Sequence, residues 1–435
     1  MERSEHGNLK NKELFNLNRK KICEGVYFTS IVEKKFKTNR ISFNFLTPLN
    51  ENTVSANAIL PFLLERSTNE ITDFTQLKRK LSSLYGASLS GDVRKIGDRQ
   101  IINLSVGGID NSFALENENV TKELSKILSS AAIKPNFNAL SDAEAYKTEQ
   151  RNLIDLIESE INDKRSYTIN RLIEIMFENE PYGIRKYGKS EQVSALTGEQ
   201  VTKAYQELLQ SAEIEIIFTG RSGHEIAMQE FQDVFKNMKR TPPQVITNNV
   251  VGDVACQKNE TEQKSVTQSK MALGFRTGIK ADSKESAAAR LMTAVYGGTP
   301  FSLLFLNVRE KLSLCYYCAA RFDRTKGVIT VDCGVEKDNI EKAKDEILTQ
   351  LNNLKAGEFS DDELKHASMS VVNSLKTVTD SLSGLEIWYL GQICYGLDFT
   401  PLQEAEIINN ITREDILSAA EKVKLDTVFV LTDRK

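Results

Sequence analysis

GGTPFSLLFLNVREKLSLCYYCAARF, residues 297–322, reads as a turn, a helix and a strand in quick succession. The same order stands earlier in the chain, in the helix TDFTQLKRKLSSL and the strand GASLSGDVRK. Thr72-Asp73-Phe74 lies opposite Thr299-Pro300-Phe301, and Gly107 opposite Gly334, each pair 227 residues apart. Outward from this stretch the match continues. The strands ISFNFLTPL (41–49) and KMALGFRTG (270–278) open the two copies, followed by the helices TVSANAILPFLLER and SKESAAARLMTAVYGG. RQIINLSVGG and GVITVDCGV are the paired closing strands. LSDAE (140–144) and FSDDE (359–363) then each start a long helix with a Ser-x-x-Glu capping box, in which the Ser accepts from a free first-turn N–H and the Glu reaches back to the cap. LTGEQVTKAYQELLQSAEIEIIFTG (196–220) matches ITREDILSAAEKVKLDTVFVLTD (411–433), a helix and then a strand.

Matched blocks in one order mean one unit used twice. Strand runs separated by long helices predict an α+β fold, each half a mostly antiparallel or mixed sheet covered by helices on one face. The stretch RTPPQVITNNVVGDVACQKNE (240–260) holds the only Pro-Pro of the chain and little helical periodicity. It sets the expected division at residues 1–245 and 246–435.

Composition narrows the function. The 435 residues carry 56 Lys and Arg against 60 Asp and Glu, a net charge of −4. That balance argues against nucleic-acid or membrane-surface binding. No apolar run approaches the roughly 18–20 residues that span a bilayer. The opening MERSEHGNLKNKEL is polar and lacks the apolar segment of a secretory signal, so a cytoplasmic location is expected. Six scattered cysteines fit reduced thiols. Cys315 and Cys318 form a C-x-x-C on a strand, where residues three apart should face opposite sides. No second pair completes a metal site, and ordinary strand residues are expected.

The segment 297–322 resembles the C-terminal half of insulinase-like (inverzincin, M16-type) peptidases, with the pattern G-G-x-x-S-x-L-F…R-E-K-x-x-L-x-Y. Gly297, Gly298, Ser302, Leu304 or Phe305, Arg309, Glu310, Lys311, Leu314 and Tyr316 fit it. The resemblance covers nearly the whole chain and implies a clam-like pair of halves. AILPFLLERST (58–68) lies where the family carries its H-x-x-E-H helix, with Ser67-Thr68 in place of a Gly-Thr tail. The metal-ligand positions then fall on Ala58 and Phe62, and that of the Glu base on Pro61. Two His four apart on a helix chelate zinc, and the Glu between them takes a proton from the bound water. Ala, Phe and Pro can do neither. The chain has only three His, at 6, 224 and 366, so no helix can present such a pair. On the helix KTEQRNLIDLIESE (147–160), the third ligand position, counted seven on from Glu149, reaches Leu156, with Glu158 and Glu160 nearby.

The resemblance thus implies a zinc-less, non-catalytic subunit of a heterodimeric metallopeptidase. A zinc-bearing H-x-x-E-H paralogue would cleave peptides, and this chain would supply Arg309 and Tyr316 in trans to bind the substrate. No metal is expected on this chain, and a homodimer stays open for the chain in isolation. The rival is a purely structural or peptide-binding protein derived from a peptidase, in which Arg309 ends a helix and Tyr316 fills the core. A self-sufficient serine or cysteine peptidase lacks a His in a recognisable setting. The Gly297-Gly298 pair reads as an interhelical turn, and the long Gly-rich insert of presequence-processing relatives is missing there. Lys78-Arg79-Lys80 and Arg94-Lys95 are expected on solvated faces, and Trp388 in a helix–helix core.

Overall fold

Along β3 (Thr38–Pro48) the alternation of ISFNF sends Ile41, Phe43 and Phe45 to one face and Ser42 and Asn44 to the other. The computed structural model describes residues 18–136 and 143–434. His6 and the capping Ser141 of LSDAE lie outside the described residues. β3 sits inside a six-stranded sheet with β1 (Asn18–Cys23), β2 (Val26–Val32), β4 (Ser88–Ile96), β5 (Arg99–Ile109) and β6 (Glu213–Gly220), in the order β1-β2-β6-β3-β5-β4. The second sheet holds β7 (Lys258–Gln263), β8 (Ser269–Arg276), β9 (Cys315–Asp323), β10 (Val328–Val335) and β11 (Lys424–Thr432), in the order β7-β11-β8-β10-β9. Only β2–β6 and β7–β11 run parallel. The two orders therefore coincide strand for strand, with β1 added to the first, as the repeats require.

Each sheet packs one face against helices of its own half. α1 (Val54–Leu64), α2 (Phe74–Ser83), α3 (Val120–Ile133) and α4 (Ala143–Ser159) share a core with the first sheet. The second sheet carries α9 (Glu285–Thr293), α11 (Ile340–Lys355), α12 (Asp361–Val378), α14 (Pro401–Asn409) and α15 (Arg413–Glu421). The expected capping box at 359–363 is present: Ser360 Oγ accepts from Glu363 N at 3.1 Å, and Ser360 N donates to the Glu363 carboxylate at 2.6 Å.

The expectation of one covered face needs correction, because the other face of each sheet is covered by a helix of the opposite half. α13 (Leu382–Tyr395) lays Leu385, Tyr389 and Leu390 on Ile31, Leu46, Ile101 and Ile217. α5 (Lys164–Met176) lays Tyr167 and Leu172 on Ala272, Phe429 and Leu431. The reason is visible in the central strands: β6 is buried from Ile214 to Gly220, and a strand buried on both faces needs a cover on each. Ion pairs lock the exchange. Glu386 of α13 accepts from Arg40 and from Arg94, the latter at 3.1 Å, and Arg165 of α5 grips Asp332. The expected solvated face at Arg94-Lys95 is thus corrected too, since Arg94 pairs with Glu386 and the half-buried Lys95 donates to Tyr182 O and Ile184 O at the seam.

The β4–β5 and β9–β10 turns meet where the halves join. Lys326 Nζ lies 3.1 Å from both carboxylate oxygens of Asp98 and 3.2 Å from Glu180. Among the described residues no helix is long and apolar enough to cross a membrane.

Candidate functional site

α1 is apolar nearly all round and buried accordingly. Ala58 and Pro61 are fully buried and Phe62 is half-buried. Pro61 removes one helical hydrogen bond at a cost of about 3 kcal/mol, yet the helix runs on for three more residues. Its burial offsets the loss, and Asn57, four residues earlier, is tied by its side chain to Gln100 at 3.1 Å. Gly91 of β4 explains how closely the helix sits. A Cβ there would lie 2.5 Å from the Pro61 carbonyl oxygen, so strand and helix backbones touch where a catalytic base would need space.

The rest of the box is equally committed. Glu65 accepts from Gly91 N at 2.5 Å, and burial pushes its carboxyl up despite that bond. Arg66 pairs with Glu149 of α4, so the acid nearest the old ligand helix is answered by a guanidinium. Leu156 is 43 % exposed and offers no donor. His224 lies against Phe218 and Glu225, and His366 against the Phe301 ring. Among the described residues no group of three or more His, Cys, Asp or Glu is arranged to hold a metal ion. The residues at 58–62 do not fit zinc.

Arg309 and Tyr316 occupy a different setting. α10 (Leu304–Lys311) winds with wide, π-type turns and carries Arg309 in its last turn. The guanidinium lies 4.5 Å from the Phe305 ring centre and 3.5 Å from Glu310. Pairing in β9 jumps from Gly334–Tyr317 to Val335–Cys315, which leaves Tyr316 as the extra residue of a β-bulge. Bulges re-aim a side chain out of the strand's alternation. Tyr316 is 66 % exposed and fills no core.

The same bulge corrects one detail of the C-x-x-C reading, the expectation that the two thiols face opposite sides. With one residue inserted, Cys315 and Cys318 both turn inward and are buried. The Cys318 thiol is hydrogen-bonded to those of Cys315 and Cys333, which together with burial hold it well above its ordinary range. The bond to Cys318 draws Cys315 down. All six cysteines are free.

Trp388 packs among apolar clusters, as expected, and does more. It joins two apolar clusters, donates from Nε1 to Phe399 O at 2.8 Å, and lines a cavity between the halves. Nothing in its local sequence signals this, because the cavity exists only once the halves exchange α5 and α13.

Such a fold and such a site define a two-half α+β protein whose helix at residues 58–62 carries no metal ligand. Residues 195–371 match the family described as Peptidase M16 inactive domain. The chain is 29% identical over 417 residues to the probable inactive metalloprotease YmfF of Bacillus subtilis, covering 95% of this chain and 98% of that one. A conserved protein from Enterococcus faecalis V583 superposes with a TM-score of 0.87 at 25% identity, over 96% of this chain and 99% of that one. A peptidase M16 inactive domain structure from Pseudomonas fluorescens shares the fold, with a TM-score of 0.77 at 14% identity, over 97% and 99% of the two chains. The match at residues 195–371 and the likeness over nearly the whole chain to a probable inactive metalloprotease support a zinc-less, M16-type reading of this chain.

One measurement checks the closed box directly. Elemental analysis of the purified chain is expected to find far less than one zinc per molecule, and a peptide library should remain uncut. One tightly held zinc, lost on changing residues 58–62, would refute this.

Proposed function

We propose that this chain is the non-catalytic subunit of a heterodimeric zinc metallopeptidase in the cytoplasm. A paralogue with an intact H-x-x-E-H helix supplies the metal and cleaves the peptide. This chain supplies Arg309 and Tyr316 from its C-terminal half to bind that peptide. The observation that carries the reading is a contrast within one molecule: the zinc helix is sealed and packed, while the Arg309–Tyr316 corner is open and set on a bulge. Arg309 can hold a peptide carbonyl by a charge-assisted hydrogen bond. The Tyr316 hydroxyl can donate to an oxyanion as it forms. Free thiols throughout suit a reducing compartment.

The rival reading is a scaffold or peptide-binding protein with no part in catalysis, and it leaves the exposed Tyr316 without a task. The test mixes the purified chain with its zinc-bearing partner at micromolar concentration and follows mass and peptide cleavage together. A one-to-one complex that cleaves peptides faster than the partner alone is expected. If the chains stay apart, or this chain forms only homodimers, the proposal fails.

A further inference from the structure

Between the halves lies a cavity of about 620 Å³, bounded by α5, the β9–β10 hairpin and α13. It is separate from both the sealed zinc helix and the Arg309–Tyr316 corner, and it needs no partner chain to be complete. Its size falls in the range of small-molecule sites.

The charges around it do not balance. Lys95, Arg290, Arg321 and Arg324 line the cavity, against the single carboxylate of Asp323. Asp323 is already engaged, accepting from Thr325 N at 2.7 Å and from the Tyr182 hydroxyl. The carboxylates behind the wall are shared. Glu404 serves both Arg324, at 2.8 Å, and Arg290, at 3.6 Å. Asp332 serves both Arg165 and Arg321, the latter at 3.4 Å. Each acid answers one charge and leaves its second guanidinium uncompensated, so the wall carries an excess of positive charge.

Gln392 adds a second requirement. Its side chain is buried and lines the cavity, and its Oε1 has no hydrogen-bond partner. A buried acceptor left unpaired is costly, and an N–H donor in the cavity would satisfy it. Trp388, Phe322 and Tyr395 supply an apolar wall beside these polar groups. The Trp388 ring is fixed by its bond to Phe399 O.

We propose that this cavity binds the carboxylate end of an N-acylated amino acid or of a peptide. The carboxylate meets Arg321, the less engaged of the two guanidiniums on Asp332, the amide N–H reaches Gln392 Oε1, and an apolar side chain lies on the aromatic wall. A simple inorganic anion would use neither Gln392 nor the rings.

Trp388 is the only tryptophan of the chain, so its fluorescence reports on this cavity alone. The full chain is titrated with N-acetylphenylalanine and with its uncharged amide. A second arm uses a short peptide ending in Phe as free acid and as amide. A saturable change in emission with the acids, at least about tenfold weaker with the amides, is expected from the loss of a charge-assisted contact. Arg321→Ala and Gln392→Leu should each weaken acid binding by about tenfold, with circular dichroism unchanged. Arg321 is largely exposed, so its variant stays informative even if the buried Gln392 change perturbs folding. Binding of the small acid without the peptide identifies a small-molecule ligand, and binding of both identifies peptide ends; either supports the shared chemistry. No saturable change with any acid, equal response to acid and amide, or undiminished binding by Arg321→Ala would overturn the proposal.

Discussion

Arg309→Ala or Tyr316→Phe, mixed with a zinc-bearing partner, is expected to lower kcat/KM for peptide cleavage at least tenfold while the complex still forms. The size follows from the role proposed. Removing one donor aimed at a developing oxyanion typically costs about 2.7–4 kcal/mol, or roughly 10²–10³ in turnover. Tyr316→Phe deletes a single hydroxyl from a residue that is 66 % exposed, so its effect on folding should stay within about 0.5 kcal/mol. Arg309 is half-exposed, and its ring and ion-pair contacts, Phe305 and Glu310, lie on its own helix. The unfolding midpoint separates a fall in kcat/KM from a fall in folded protein. The two losses should also differ in kind. Arg309→Ala should raise KM, because ground-state binding of the peptide carbonyl weakens, whereas Tyr316→Phe should act mainly on kcat. Wild-type rates in both mixtures would leave the chain a scaffold and its bulge without a catalytic use.

Much of this molecule was legible from residues alone, for identifiable reasons. The repeated blocks fixed the matched strand orders because neighbours in a sheet follow from which segments alternate and which helices return between them. The loss of the zinc box needed only a count of histidines. What escaped is set by long-range geometry. Covering both faces of each sheet required α5 and α13 to cross over, and no local pattern in RSYTINRLIEIM or SGLEIWYLGQ says which sheet each helix will meet. The bulge at Tyr316 escaped because period-two alternation assumes an uninterrupted ladder, and one inserted residue turned Cys315 to the same side as Cys318. Lys95 looked like a surface charge in GDVRKIG. Its ammonium instead donates to Tyr182 O at 2.8 Å and Ile184 O at 3.2 Å, and burial draws its pKa down to about 8.

Lys326→Ala is expected to destabilise the chain by about 3–5 kcal/mol, the range for breaking one side of a buried ion pair. Lys326 is fully buried at the join of the halves, with Asp98 from the first half on one side and Glu180 on the other. Glu180 would keep Arg276, at 3.0 Å, but Asp98 would retain little beyond the backbone N–H of Asn249, at 3.2 Å. An uncompensated carboxylate would then sit where water cannot reach it. Charge, more than packing, should account for the loss. Asp98→Asn combined with Lys326→Met removes both charges while keeping most of the volume, and it should recover most of the stability lost in Lys326→Ala. Urea midpoints of the three proteins measure this. Protease cleavage in residues 236–257, which form no helix or strand, shows whether the halves part before they unfold. If Lys326→Ala unfolds at the wild-type midpoint, the pair is not what holds the turns together. If the double variant is the weaker of the two, lost packing outweighs the stranded charge, and the grip between the halves rests on α5 and α13 alone.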